Sequence, residues 1–343
     1  MRKIFYATNL SSELDVDRRF VTCEPLVTMG QLTHTLDKLG WTIPILPELD
    51  DLTVGGLVMG TGIETTSHKF GLFQHICLSY ELVMSDGSVI KCSEEENSDL
   101  FFSVPWSYGT LGFLTAVKIK MIPSKRFVKL TYKPAHTAAE GDRILNEELG
   151  KGGDAHMFVE SLIFDKERAV VMVGDMVDSC EVSKLNEIGK WHKEWFFKHV
   201  ESFLHKGTYT EYIPLRDYYH RHSRYLVNLG RKKMTMLNTS SYRSIFWEIQ
   251  DIIPFGNNVV FRYLLGWLVP PKVSLLKLTQ GKKIKQLYEE QHVIQDMLVR
   301  ISDMRKCIDF FHDQVSVYPI WICPFLLPNN PGMLKTPGGG EEM

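Results

Sequence analysis

Between Phe20 and Leu46 the apolar positions change period twice, which predicts strand, helix, strand. Phe20, Val21 and Cys23 form a short extended run closed by Glu24-Pro25. Leu32, Leu36 and Leu39 then recur at helical spacing up to Gly40, a residue suited to a C-terminal cap. Trp41 to Leu46 is extended again and stops at Pro47. Further on, "HICLSYELVMSDGSVIKC" reads as two strands joined at Ser85-Asp86-Gly87, a turn whose glycine tolerates positive φ. Ser93, with Glu96 three residues later, predicts a capped short helix over "SEEENSDLFFSVPWS". Val117, Ile119 and Met121 alternate with Lys118 and Lys120, as in a strand with one covered face. A first domain of residues 1–123 follows from this pattern.

The second half has a different texture. "FVKLTYKPA" and "AVVMVGDMV" read as strands around a helix near Ala139 to Leu149, a separate mixed α/β unit over residues 124–330. From Trp191 the chain becomes aromatic and basic. "KIKQLYEEQHVIQDMLV" (Lys283 to Val299) predicts an amphipathic helix with Ile284, Leu287, Tyr288 and Val293 on one face. Residues 331–343 are rich in Pro and Gly, the composition of a disordered tail. The fold class expected is α+β.

Composition narrows the function classes. With 343 residues, 44% hydrophobic and 23% charged, the chain has the make-up of a folded protein of two domains. A net charge of −2 gives no electrostatic case for nucleic acid as a partner. Cys23, Cys77, Cys92, Cys180, Cys307 and Cys323 follow no metal-ligand spacing, so no metal is expected and the thiols read as reduced in a cytosol-facing protein. "MRKIFYATNL" has no apolar core of a signal peptide, and "VVFRYLLGWLV" (Val259 to Val269) is too short to span a bilayer.

Candidate chemistry lies in "DLTVGGLVMGTGIETTSHKFG". Gly55, Gly56, Gly60 and Gly62 let a backbone approach a large ligand with no Cβ in the way, and successive N–H groups there would suit a pyrophosphate. Thr53, Thr61, Thr65, Thr66 and Ser67 add hydroxyls. The spacing is neither that of a P-loop nor that of the dinucleotide G-x-G-x-x-G turn, and a glycine-rich surface turn is the bland alternative. Gly109 and Gly112, flanking Thr110-Leu111, repeat the device more weakly before a strand.

In that order, the glycine-rich loop after "LPELDDLT", the "ELVMSDGS" hairpin and "GTLGFLTAVKIKMIP" resemble the second half of the FAD-binding (PCMH-type) domain of vanillyl-alcohol-oxidase-type flavoproteins. "EPLVTMGQLT", "ENSDLF", "VPWSYGTLGF", "KEWFFKHVE", "EYIPLRDYYHRH", "SIFWEIQDIIPFGNN", "FRYLLGWLVPPKVSLLKLTQG" and "VYPIWICPFLLP" narrow the resemblance, over about residues 20 to 330, to the Δ24-sterol reductases. The resemblance implies a partial FAD-binding PCMH-type domain followed by a substrate domain. It also implies an FAD-dependent oxidoreductase acting on a CH–CH group. Such an enzyme reduces the C24–C25 bond of desmosterol-like sterols with NADPH in cholesterol biosynthesis, at the endoplasmic reticulum membrane. Carried over, the FAD contacts fall on Thr53, Val54, Gly55, Gly56, Leu57, Val58, Met59, Gly60, Thr61, Gly62, Ile63, Glu64 and Thr65. Ser67, His68, Gly109, Thr110 and Gly112 complete the set, whereas His75 reads as structural.

The proton donor is left open among Tyr218, Tyr219, His220 and His222, since Tyr and His deliver protons near neutral pH; His220 and His222 alternate as in a strand. Their alternative is to line a sterol- or lipid-facing surface, to which "FRYLLGWLVPPK" would contribute Trp267 between Arg262 and Lys272. Against the family pattern, the membrane anchor, the first half of the FAD domain and the C-terminal part of the substrate domain are expected to be lacking. Tyr225 to Arg243 reads as an insertion at about 225–243. Two other readings stay open: a flavin-dependent alcohol or aldonolactone oxidase, and an inactive isoform that acts only as a binding partner.

Overall fold

In this computed structural model residues 2–3, 13–222, 258–265 and 297–328 are described. The 225–243 segment, the 331–343 tail and most of Lys283 to Val299 lie outside them. The chain divides into two units, Met1–Arg126 with Cys323–Met343, and Phe127–Ile322.

The first unit contains β1 (Arg2–Lys3), β2 (Glu13–Asp15), β3 (Phe20–Cys23), α1 (Met29–Leu36), β4 (Trp41–Thr42), α2 (Val54–Met59), α3 (Ser67–Phe70), β5 (Cys77–Val83), β6 (Val89–Ser93), α4 (Ser98–Ser103), β7 (Phe113–Lys120) and β8 (Ile122–Pro123). Six strands form an antiparallel sheet in the order β1-β2-β3-β7-β5-β6. The alternation read in the sequence decides which face is covered. Val117, Ile119 and Met121 are fully buried, and Val21 and Cys23 lie beside Ile119 and Val117 with no exposure either. The β5–β6 hairpin turns at Gly87 with φ +84°.

Capping sets the helix boundaries. Thr28 accepts the Gln31 N–H while the Gln31 side chain accepts the Thr28 N–H, closing a capping box at the start of α1. At the other end a short 3-10 turn finishes on Gly40, φ +75°. Ser93 departs from expectation. Its Oγ accepts the N–H groups of Glu95 and Glu96, as a cap would, but the chain then turns and α4 starts at Ser98, after Asn97 at φ +52°. The polar run Glu94 to Asn97 offers no apolar stripe to bury, so the helix waits for Leu100 and Phe101.

The second unit contains β9 (Phe127–Ala135), α5 (Ala138–Leu149), β10 (Phe158–Ile163), β11 (Ala169–Val177), α6 (Phe196–Lys206), β12 (Tyr209–Pro214), α7 (Leu215–Tyr219), α8 (Val259–Leu265), α9 (Met304–Gln314) and β13 (Ile320–Ile322). Its antiparallel sheet runs β12-β9-β11-β10-β13. The whole of β10 and Ala169 to Gly174 of β11 are buried on both faces, which explains their nearly continuous apolar sequence. Leu145 of α5 and Met304 and Ile308 of α9 cover one face against Val159, Val171 and Val173. On the other face Phe203 of α6 stacks on Tyr132 at 4.1 Å, and Tyr218 of α7 meets Phe158 edge-on at 4.9 Å. Among the described residues of both units no disulfide joins the cysteines, and Cys23, Cys77 and Cys92 are buried.

Candidate functional site

The glycine-rich stretch of the first unit is mostly a short helix rather than an open loop. Thr53 caps α2 by accepting the Gly56 N–H at 3.2 Å. The preceding N–H groups are also committed: Val54 donates to the Val27 carbonyl and Gly55 to the Pro25 carbonyl, at 2.9 and 2.8 Å. Residues 25–27 therefore occupy the N-terminal mouth of α2. Gly55 is glycine because a Cβ there would stand 2.7 Å from Pro25 Cβ, and Gly62 because one would meet Leu57 and Pro47 at 2.9 Å. Leu57 and Val58 are buried and Met59 is partly so.

Glu64 to Ser67 form a buried polar knot. Ser67 Oγ accepts the Glu64 N–H, Glu64 Oε1 accepts the Thr65 N–H, and the Thr66 hydroxyl donates to the Pro44 carbonyl at 2.7 Å. The Ser67 carbonyl also receives the Leu326 N–H at 3.0 Å, so the segment after Ile322 rejoins this unit. Beside it, His75 Nδ1 accepts the Leu72 N–H, and burial lowers the ring's pKa to about 4, keeping it neutral. His68 is half-buried next to this knot.

The second glycine segment comes to the first. Trp106 donates its N–H to the Val58 carbonyl at 3.3 Å and the Ser107 hydroxyl approaches Met59 Sδ at 3.3 Å, so residues 106–107 lie along α2. Trp106, Tyr108 and Gly109 all have positive φ (64°, 51° and 77°), which lifts Tyr108, Gly109 and Thr110 into solvent. A Cβ on Gly109 would touch nothing within 4 Å, whereas one on Gly112 would crowd Met84 and Val83 at 3.2 Å. Trp106 Nε1 is buried without a hydrogen-bond acceptor among the described residues. A large anionic cofactor therefore fits one part of the predicted set better than another. Gly60, Thr61 and Ile63 are partly exposed, Gly109 faces open space and Trp106 Nε1 is an unspent donor, although the backbone N–H groups of Gly60, Trp106, Ser107 and Thr110 are in use within the chain, as are those of Val54 to Gly56.

In the second unit the four proton-donor candidates sit on α7 and the turn after it, not on a strand. The helix reaches only Tyr219, and His220 closes it by donating its N–H to the Arg216 carbonyl. Pro214 stands directly before the helix, and its fixed φ suits that position. Two of the four candidates turn to a residue that the sequence reading missed. Glu160, fully buried in β10, accepts Arg221 Nε and Nη2 at 3.0 and 2.9 Å, Trp321 Nε1 at 2.8 Å and the Tyr218 hydroxyl at 3.2 Å. His222 Nε2 lies 3.5 Å away. Burial alone would raise the Glu160 pKa, but Arg221 and His222 outweigh it and hold the carboxyl at about 2. A lone Glu inside the apolar run "FVESLIF" was the available signal.

A second buried carboxylate, Glu211, lies on the same face. Tyr132 donates its hydroxyl to it at 2.6 Å, Asn186 Nδ2 reaches both of its oxygens at 3.1 and 3.2 Å, and His199 Nε2 stands 2.9 Å away. Burial pulls the His199 pKa down, but Glu194 and Glu211 together raise it above the ordinary 6.5.

Residues 7–93 match the family model described as an FAD binding domain. The matched residues lie within the first unit. Along nearly its whole length the chain is a sequence relative of the Delta(24)-sterol reductases. It is 52% identical over 332 residues to the Delta(24)-sterol reductase of Homo sapiens, covering 96% of this chain and 60% of that protein. With the Delta(24)-sterol reductase of Mus musculus the identity is 52% over 334 residues, with the same coverages. With the Delta(24)-sterol reductase homolog of Caenorhabditis elegans it is 46% over 343 residues, 96% of this chain and 62% of that protein. The chain spans about 60% of the length of these curated relatives.

Proposed function

We propose that this chain serves FAD-dependent reduction of the C24–C25 double bond of a desmosterol-like sterol, with NADPH as electron source, at the cytosolic face of the endoplasmic reticulum membrane. The observation that supports it is identity of 52% extending over 96% of the chain, through both units, to proteins named for sterol reduction. A likeness confined to the FAD binding domain would support the cofactor and leave the substrate open. Among the described residues no helix is long and apolar enough to cross a membrane, so membrane contact in this reading is made by other means or by other residues.

FAD, when bound and reduced by NADPH, would supply the hydride that an isolated alkene accepts only with simultaneous protonation of its other carbon. The chain's own share is positioning and the proton. In this reading the backbone of Gly60 to Ile63 and the Trp106 indole N–H hold the cofactor, with Gly109, Thr110 and Gly112 closing beside them. Thr53 to Met59 support that contact from within by fixing α2. Glu64, Thr65 and Ser67 brace the turn through their mutual hydrogen bonds, and His68 stands next to it. For the proton, the candidates remain Tyr218, Tyr219, His220 and His222; Tyr218 and His222 are turned to Glu160, Tyr219 is enclosed and His220 is half-buried at the end of α7.

The test is direct. The purified chain, saturated with FAD and freed of excess by gel filtration, is expected to keep the flavin absorbance. With NADPH and desmosterol it is expected to yield cholesterol detectable by mass spectrometry. Retained flavin that NADPH reduces, with no sterol product, would reject the substrate; loss of all flavin on filtration would reject the cofactor site.

A further inference from the structure

The second unit contains a cavity of about 390 Å³ for which the sequence reading assigned no role. That volume lies within the range of about 300–1,000 Å³ usual for small-molecule sites. One wall is the 185–186 segment, which runs beside β12: Leu185 makes a parallel bridge with Tyr212, and Asn186 donates its N–H to the Tyr212 carbonyl at 2.8 Å. Glu211 and His199 also line the cavity, together with Val259, Arg262 and Tyr263 of α8. The α8 helix is held there by Tyr263, which stacks on His192 with ring centroids 5.6 Å apart.

Two polar atoms on this lining are buried and lack a hydrogen-bond partner among the described residues: Asn186 Oδ1 and Arg262 Nε. Each is costly to leave unsatisfied, by about 1–3 kcal/mol in general and more for a charged group. They are also chemically opposite. Arg262 offers a cationic donor; Asn186 offers an acceptor, because its Nδ2 is already spent on Glu211. Lys184 and Lys193 add positive charge, against Glu194 and Glu211, with His199 between those two carboxylates. Lys184 is paired with Glu181 at 2.7 Å.

We infer that this cavity is a binding site for a small hydroxylated oxyanion, whose anionic group meets Arg262 and whose hydroxyl donates to Asn186 Oδ1. The oxyanion is a phosphate or a carboxylate, since both accept from a guanidinium. The site is independent of the flavin reading and needs no sterol.

Calorimetric titration of the full chain with glycerol 3-phosphate, glycerate, inorganic phosphate and glycerol tests it. One or both hydroxylated anions are expected to bind more tightly than inorganic phosphate, with glycerol silent; the stronger of the two identifies the anionic group. Arg262→Gln is expected to weaken that binding about tenfold or more. Asn186→Leu is expected to abolish the preference over inorganic phosphate, in protein shown by thermal unfolding to remain folded. Should Asn186→Leu fail to fold, Arg262→Lys replaces it and is expected to restore only part of the affinity lost in Arg262→Gln, since it keeps the charge without Nε. No binding of either hydroxylated anion, equal binding of glycerol, or affinity unchanged by Arg262→Gln would overturn the assignment.

Discussion

Glu160 and Arg221 meet entirely out of solvent, the carboxylate in the middle of β10 taking two guanidinium bonds of 3.0 and 2.9 Å from the turn that follows α7. Tyr218, His222 and Trp321 converge on the same carboxylate, so one residue ties β10, α7, the following turn and β13 together. Removing only the carboxylate charge leaves a buried guanidinium without its counter-ion. Glu160→Gln is therefore expected to destabilise the chain by about 3–5 kcal/mol, and the double change Glu160→Met with Arg221→Met by clearly less. Urea unfolding of the three proteins checks this; equal losses in the single and double variants would refute it.

Stability should depend on pH from both sides. The folded-state pKa of Glu160, about 2, lies below its ordinary 4.5, so its contribution is present above pH 4.5 and is lost as pH falls toward 2. His199 has the opposite sign: its folded pKa lies above 6.5, so its contribution is full below 6.5 and disappears as pH rises through the folded value. Both contributions coexist between pH 4.5 and 6.5. Urea midpoints are expected to be highest there, with the acid loss removed in the Glu160→Met, Arg221→Met double variant and the alkaline loss removed in His199→Gln.

The glycines of α2 and of the loop beside it should separate into two classes. A methyl group at Gly55 or Gly62 collides with Pro25, or with Leu57 and Pro47, and each alanine variant is expected to cost about 1–3 kcal/mol through overpacking. Gly109→Ala meets no neighbour and has only its positive φ against it, so about 1 kcal/mol is expected. Thermal unfolding of the three variants compares them directly, and a larger loss at Gly109 than at Gly62 would contradict this account.

Trp106→Phe keeps an aromatic ring along α2 and removes the Nε1 donor together with the second ring of the indole. In the flavin reading, in protein shown by thermal unfolding to remain folded, it is expected to raise the FAD dissociation constant several-fold, an effect of roughly 1 kcal/mol for one hydrogen bond. Flavin fluorescence titration measures it. Unchanged FAD affinity would remove Trp106 from the cofactor's contacts.

Much of this architecture was written locally. Val117, Ile119 and Met121 announced their buried face because a strand alternates sides residue by residue. Gly40 and Gly87 announced turns because few other residues adopt positive φ without strain. Short-range hydrogen bonding was less decisive, as Ser93 shows: its local bonds formed, and the helix still started five residues later, where Leu100 and Phe101 had a surface to cover. The aromatic strings of both halves were specific enough to point to the sterol reductases without any geometry.

Other features depended on partners distant in sequence. Whether Gly55 has room for a side chain is a question about residues thirty positions apart, and the fold answers it by placing Pro25 where a Cβ would stand. Glu160 was a single charge in an apolar run until the fold brought Arg221 and Trp321 to it, from 61 and 161 positions away. The cavity between Asn186, His199, Glu211 and Arg262 likewise exists only once a loop, two helices and a strand are assembled. A side chain's conformational preferences travel with it along the chain, but its electrostatic and steric environment is made by neighbours that only tertiary packing supplies.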